Sequence, residues 1–455
     1  MWVVVPLASV AWVAVRYRRS YFLYDEWVMI HRVVEGPWWR EMLIGFNGHL
    51  WVLPYWMYHL QVNLLGVESS WFIFAGLCAS LVALQVGVAA VLFRLGLPSG
   101  LALFAATIVT YFGRGSETMV LEYEFAANVA LALCCFGGFV ALRDRLDRKA
   151  AITVAALLVA AIAADSGLAL LGMIFAGTLV VRLWPRRLAV VALGPPLAAL
   201  VAWTILDYSQ VLVTQPCMNC EPVSFSAPLG ASLSYAFNLV ARAAGGLVGG
   251  FETAGVVGLA VGLTCAAVGL AKHRLSRPVL AGLAGGLLAA AAAIVSLTYS
   301  RAGYWRTVHE AIAALGGPAN RYVQPPAMFL LLGLAPAIAA TLRPQGPGRA
   351  RIASAAAAVG LIVVFVLNLS SVGPTRRFYD EWSAAERARV RASVAVLTDG
   401  CGPGQQPDPL ALPLEALSPQ ITVALLQDLL ARGAFSSDFG ISPPPDVVAA
   451  ICRPT

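Results

Sequence analysis

YFLYDEWVMIHRVVEGPWWREMLIGFNGHLWVLP, residues 21–54, is the stretch on which the reading of this chain turns. It sets adjacent carboxylates, Asp25 and Glu26, directly after an apolar segment, and follows them with two histidines and four tryptophans. The chain around it is built for lipid. Of 455 residues, 59% are hydrophobic and 12% are charged, and the mean hydropathy is +0.76. Soluble domains carry about 25% charged residues. Apolar runs close to the roughly 20 residues needed to cross a bilayer recur throughout. An all-α polytopic membrane protein is expected. The net charge of +7 then reads as a topology signal, because its lysines and arginines sit singly in short loops with no long basic stripe. No nucleic-acid partner is expected. Spans rich in Ala, Gly and Leu predict close helix packing through small residues.

Eleven spans are expected, at about 2–15, 71–93, 98–112, 120–142, 150–164, 167–182, 188–206, 254–271, 278–298, 322–342 and 352–371. The apolar segment at about 49–66 is interrupted by Pro54, His59, Gln61 and Asn63 and reads as an interfacial or re-entrant helix. With that choice, four basic loops fall on one side. They carry Arg143, Arg145, Arg148 and Lys149; Arg182, Arg186 and Arg187; Lys272, Arg274 and Arg277; and Arg343, Arg349 and Arg351. The positive-inside rule makes that side cytoplasmic. Arg16, Arg18 and Arg19 run against it, landing outside after a short first segment. A start farther upstream, a contact with an anionic ligand and a secretory signal are the readings of that segment. An anchoring helix is preferred, since no small-residue cleavage site precedes the arginines.

The outer side then receives the chemistry: loops at about 16–70, 113–120, 207–253 and 299–321, the turn at Asp165, and the tail from about 373. Among eight cysteines, Cys78, Cys134, Cys135 and Cys265 lie in spans and read as small buried residues. Cys217, Cys220, Cys401 and Cys452 lie outside, where disulfides persist. For the Cys217–Cys220 pair a zinc knuckle and a redox site compete with a local disulfide. The loop offers no histidine or second cysteine pair, so a disulfide is expected, with Cys401–Cys452 stapling the tail.

Polar residues at span ends on one face are costly to place and mark function. They comprise Asp25 and Glu26, His49, Arg114 with Glu117, Glu122 and Glu124, Asp165, His309 with Glu310, and Arg321 with Tyr322. Carboxylates suit abstraction of a hydroxyl proton. Arginine suits an anionic phosphate through its planar fork. Trp27, Trp38, Trp39 and Trp51 could stack on sugar faces or belong to an interfacial aromatic belt. Other readings stay open too: a solvated loop start for the acid pair, a snorkelling anchor for Arg321, a helix-dipole role for Glu122 and Glu124, and a helix cap for Asp165.

Four stretches in order resemble the GT-C superfamily of membrane glycosyltransferases, which draw sugars from polyprenyl-phosphate donors. These are YDE after the first span; FNGHLWVLPYWMYHLQVNLLG (46–66), similar to the juxtamembrane HPPL helix; YFGRGSETMVLEYE (111–124), similar to the acidic second external loop; and ANRYVQPPAMFLLLGLAPAIA (319–339), similar to the RYLLPxxP start of a late span. The likeness covers residues 1–342, and GHLWVLP departs from HPPL at the position of His49. The resemblance implies sugar transfer by direct displacement outside the cytoplasm. Asp25 would deprotonate the acceptor and Glu26 would orient a partner or an ion. Glu117 would support the acceptor or a divalent metal, the one cofactor left open, and no metal ligands are assigned. Arg321, Tyr322 and Arg114 would hold the donor phosphate. Trp27, His49, Trp51, Glu122 and His309 would line the acceptor and sugar site.

The chain is expected to divide into a GT-C-like transmembrane domain, 1–372, with the catalytic acids and juxtamembrane helix in its first external loop, and a small external region, 373–455, of different composition. The latter has Pro/Gly-rich turns and helical patterns near 380–397 and 419–432. Few large apolar groups make it marginal alone, so docking and a disulfide are expected to hold it. The Ala/Gly/Arg-rich composition fits a high-GC bacterium, of actinobacterial envelope type. Plasma-membrane localisation and a cell-envelope glycan or lipid acceptor follow, with arabinose and mannose named by association alone. A lipid-linked glycan polymerase or ligase, a transporter and a scaffold are the rival classes. Transporters place charge near the midplane of Gly/Pro-broken, repeated spans, whereas here it gathers at one face.

Overall fold

Long runs of Ala, Leu, Val and Gly form helices, and the polar residues between them mark the turns. A computed structural model describes residues 2–17, 25–45, 49–69, 71–111, 121, 124–143, 146–210, 229–314, 321–342, 347–370, 372–413, 421–435 and 442–454. The first part contains α1 (Val4–Tyr17), α2 (Asp25–Glu35), the short α3 (Trp38–Glu41) and α4 (Val52–Leu60), which runs into a π-turn, Gln61–Leu65. The bundle follows with α5 (Trp71–Arg94), α6 (Ser99–Thr110), α7 (Phe125–Ala141), α8 (Arg148–Ala164), α9 (Ser166–Leu183) and α10 (Arg186–Gln210). It continues through α11 (Leu229–Gly246), α12 (Glu252–Ala271), α13 (Arg277–Ala314), α14 (Gln324–Thr341) and α15 (Pro347–Ser370).

The protein has the all-α, polytopic membrane architecture expected. Helices stand at every predicted span, but among the described residues six are long and apolar enough to cross a bilayer: α5, α9, α10, α12, α13 and α14. α1, α6, α7 and α15 are shorter apolar helices or segments, and α8 has 17 residues. The count of eleven is therefore not established. α6, with 12 residues, rises only about 18 Å, well short of the hydrocarbon thickness.

The bundle core forms where α5 packs on α7, α7 on α8 and α9, and α13 on α9 and α14. Small residues permit the closest approach. A Cβ at Gly286 of α13 would stand 2.6 Å from the Phe329 carbonyl oxygen of α14, so only glycine fits there. The basic turns meet at one end of the bundle. Arg277 Nε donates to the Arg182 carbonyl at 3.1 Å, and Arg274 Nη1 donates to that of Thr341 at 2.9 Å.

Two helices depart from expectation. The loop predicted over 207–253 contains α11, which packs on α12, α13 and α14. Serines, Asn238 and Arg242 dilute its hydropathy, but Tyr235, Leu239 and Ala243 are buried while Leu229, Leu233 and Phe237 stand exposed at spacing four. α13 continues 16 residues beyond the predicted end of its span at 298.

The C-terminal region contains α16 (Val372–Asp399), β1 (Gln405–Pro407), α17 (Val423–Ala431), α18 (Pro445–Ile451) and β2 (Cys452–Pro454). β1 and β2 pair antiparallel, Gln406 opposite Arg453. A Cys401–Cys452 disulfide, with Cα atoms 5.7 Å apart, closes the unit over a small core of Val396, Val423, Val447 and Ile451. Cys217 and Cys220 lie outside the described residues. The region does more than cap itself. Val390, Val394, Leu425, Leu426 and Leu429 share a core with Trp27, Ile30 and Val33 of α2 and with Leu77 and Leu81 of α5. Glu68 Oε2 accepts from Arg387 Nη2 at 2.7 Å and Arg391 Nη2 at 2.6 Å. Burial alone would raise the Glu68 pKa; the two arginines outweigh it and hold the carboxyl below its usual range.

Candidate active site

Asp25 is the first residue of α2, where negative charge is favoured by the helix dipole. Residues adjacent on a helix diverge by about 100°, and Glu26 follows Asp25 directly on α2. Glu26 is 1% exposed, and Tyr58 of α4 donates to its Oε1 at 2.6 Å. A carboxylate placed there anchors α2 on α4.

Two of the tryptophans are buried as well. Trp27 is fully buried among Met29, Ile30 and Tyr55, so it has no face to offer a sugar. Trp51 lies in the same core, and its indole Nε1 donates to Asp165 Oδ2 at 3.3 Å. Trp38 and Trp39 are the exposed pair, with Trp38 leaning on Trp56, centroids 5.4 Å apart.

Asp165 joins α8 to α9. Its Oδ1 takes the Leu168 amide at 3.0 Å, capping α9, and lies 2.7 Å from His49 Nδ1. Burial would push this carboxyl up, but the His49 imidazole facing it, together with the Leu168 and Trp51 donors, holds it below the ordinary range. The pair is thus matched in geometry, with the imidazole Nδ1 facing the carboxyl. Gly167 leaves room for the imidazole, because a Cβ there would collide with the ring. The Leu50 amide donates to Ser166 Oγ at 2.8 Å, tying the same segment to the α8–α9 turn. Asp165→Asn replaces one of the two acceptor oxygens by an NH2 group, which leaves a donor facing a donor either at Trp51 or at Leu168 and His49. A loss of about 1–3 kcal/mol is expected, read as a lower thermal midpoint of the purified protein; an unchanged midpoint would show that the pairing contributes nothing.

The turn that carries Arg321 and Tyr322 comes later in the chain. Arg321–Val323 form a 3₁₀ turn leading into α14. Val323 is buried, Tyr322 half-buried, and Gln324 Nε2 donates to the Val109 carbonyl at 3.2 Å near the end of α6. Tyr111, at the end of α6, and Leu121 and Phe125, at the start of α7, belong to the same apolar cluster as residues of α2 and α4. Glu124, at the start of α7, is buried. Arg114, Glu117 and Glu122 lie outside the described residues. Asp25, Arg321 and His309 are described by backbone alone, His309 within α13. Among the described residues no cluster of three or more His, Cys, Asp or Glu is arranged to hold a metal.

Tyr58, Gln324 and the His49–Asp165 pairing had no place in the sequence reading. The spacing of Tyr55, Tyr58 and Val62 along 49–66 carried the signal for Tyr58. A groove of about 810 Å³ at the start of α12, lined by Gly250, Phe251, Glu252 and Val257, shares no residue with this constellation. Glu252 there lies 3.6 Å from Arg242 Nε.

No protein-family model and no curated protein sequence matches the chain. Among solved structures, it is similar to ArnT from Cupriavidus metallidurans bound to undecaprenyl phosphate. The TM-score is 0.53 at 17% identity, over 94% of this chain and 84% of that one. The two proteins share a fold.

Proposed function

We propose that this protein is a membrane glycosyltransferase of the GT-C type, moving a sugar from a polyprenyl-phosphate donor to a cell-envelope glycan or lipid on the outer face of the plasma membrane. The observation that carries the reading is a fold shared over 94% of the chain with a protein that holds undecaprenyl phosphate. The apolar cluster shared by α2, α4 and the ends of α6 and α7, together with the bond from Gln324 at the start of α14 to the end of α6, supports it, since these elements bear residues that the chemistry requires.

Asp25 takes the proton of the acceptor hydroxyl as its oxygen attacks the anomeric carbon. The bond from that carbon to the phosphate oxygen breaks, and the polyprenyl phosphate leaves with the electron pair, inverting the centre. Arg321, Tyr322 and Arg114 meet the charge that grows on the phosphate. Glu26 and Tyr58 hold α2 in place, and Asp165 orients His49 at the acceptor side.

The test is an assay of the purified full-length protein in lipid nanodiscs with polyprenyl-phosphate pentose and hexose donors and envelope lipids as acceptors. Release of polyprenyl phosphate coupled to acceptor glycosylation is expected. Undecaprenyl phosphate should also raise the thermal midpoint, by mass action on the folded state. Consumption of a diphosphate-linked glycan instead would make the protein a polymerase or ligase. Movement of the intact lipid without bond cleavage would make it a transporter.

A further inference from the structure

The geometry points to a clamp: the C-terminal region sets the position of the acidic helix α2, and Arg432 is its positioning residue. The inference rests on the reading of Asp25 as the base and assigns a role to the region outside the transmembrane domain.

α2 has 11 residues, too few to persist in water unaided. Its placement must come from what surrounds it. One side is held from within the first loop by the Tyr58–Glu26 bond. The other is covered by the C-terminal region, whose Leu425, Leu426 and Leu429 on α17 and Val390 and Val394 on α16 enter the same core as Trp27, Ile30 and Val33. The last carbonyls of a helix lack partners of their own and favour a nearby cation. α2 has one base in its last turn, Arg32, and its Nη2 donates to the Glu41 and Ile44 carbonyls at 2.6 and 2.7 Å, in the following segment. The cation for α2 comes from far along the chain. Arg432, 398 residues away, donates through Nη2 to the Val34 carbonyl at 2.7 Å.

Two further ties fix the region that presents Arg432. The Val67 amide donates to the Ala434 carbonyl at 2.8 Å, and Glu68 takes both Arg387 and Arg391. Gly66, at φ +80°, lets the chains approach, since a Cβ there would stand 3.0 Å from that same carbonyl oxygen. One end of α2 thus carries Asp25, and the C-terminal region grips the other. Loosening the grip moves the base relative to the reacting atoms, and a displacement of about 1 Å can cost on the order of 10²-fold in rate.

The experiment compares Arg432→Ala, Arg432→Lys and Glu68→Gln in the full-length protein in nanodiscs, by steady-state kinetics and by hydrogen exchange of the α2 amides. Arg432→Ala should lower kcat by roughly 10- to 100-fold and leave the donor KM within about twofold, since the donor phosphate site lies on other elements. Arg432→Lys should restore part of the loss, and Glu68→Gln should shift kcat in the same direction by less. Exchange over 25–35 should quicken while that of α5 and α7 stays unchanged, which general unfolding would not produce. Asp25→Asn combined with Arg432→Ala should be no slower than Asp25→Asn alone, because both act through one group. Unchanged α2 exchange in Arg432→Ala and Glu68→Gln, or unchanged kcat despite quickened exchange, would overturn the clamp. Full turnover by Asp25→Asn would instead remove the base, leaving the clamp to be decided by α2 exchange alone.

Discussion

Asp25→Asn is expected to lower the rate of sugar transfer by roughly 10²–10⁴-fold, the usual worth of a positioned general base. The amide keeps the size of the carboxylate and the polar start of α2, so expression and the thermal midpoint should hold. What it loses is the ability to take the acceptor's proton. The neighbouring acid provides the control. Glu26 is buried and receives the Tyr58 hydroxyl, and Glu26→Gln still offers an oxygen to that donor. Its cost should therefore be smaller and should fall partly on stability. The measurement is kcat of both variants with a polyprenyl-phosphate sugar donor, beside their melting curves. Wild-type turnover in Asp25→Asn would remove Asp25 from the mechanism. A larger loss in Glu26→Gln than in Asp25→Asn, at equal stability, would move the base to Glu26.

The contrast between these two acids also shows where sequence reading reaches and where it stops. The bundle was legible because uninterrupted apolar runs leave a chain few options in lipid, and helices stand at each expected span. α11 was not, because Asn238, Arg242 and its serines lower its hydropathy to that of a loop while a buried stripe persists. Trp27 looked like a sugar platform because it sits beside two acids. Its spacing with Ile30 and Val34 already placed it on the inward stripe of a helix. Other contacts had no local signal. Trp51 meets Asp165 across 114 residues, and Arg432 meets Val34 across 398. Such pairs exist only after the chain has folded. Residue type alone gave the capping role of Asp165, since a carboxylate between two apolar runs meets the free amides of the next helix. That it also holds His49 needed the geometry.

Arg321→Ala is expected to lower transfer by on the order of 10²–10³-fold, the cost of removing one well-placed group from a developing negative charge. The backbone around Arg321 is well anchored. Val323 is buried, and Gln324 donates to the carbonyls of Val109 and Thr110, which fixes the turn against the end of α6. α14, which follows, is long and apolar enough to cross a bilayer, and Arg321 is proposed to stand at the depth of a lipid headgroup. A polyprenyl chain could lie along the bundle while its phosphate meets the turn and its sugar faces α2. In the proposed reaction the contact with the phosphate would strengthen as the glycosidic bond breaks, because charge accumulates on the leaving oxygens. Part of the loss must therefore appear in kcat and not in donor KM alone. Arg321→Lys should recover activity incompletely, since an ammonium cannot offer two parallel donors to one phosphate. The kinetics are to be read beside labelling of a cysteine introduced into 299–321 with a membrane-impermeant reagent, which should react from outside intact cells. Labelling only after the cells are opened would place the turn at the cytoplasmic face, and unchanged kinetics in Arg321→Ala would take the residue out of the donor site. Rates and sidedness that agree would put the phosphate of the lipid and the base of α2 on the same side of one membrane, as direct displacement requires.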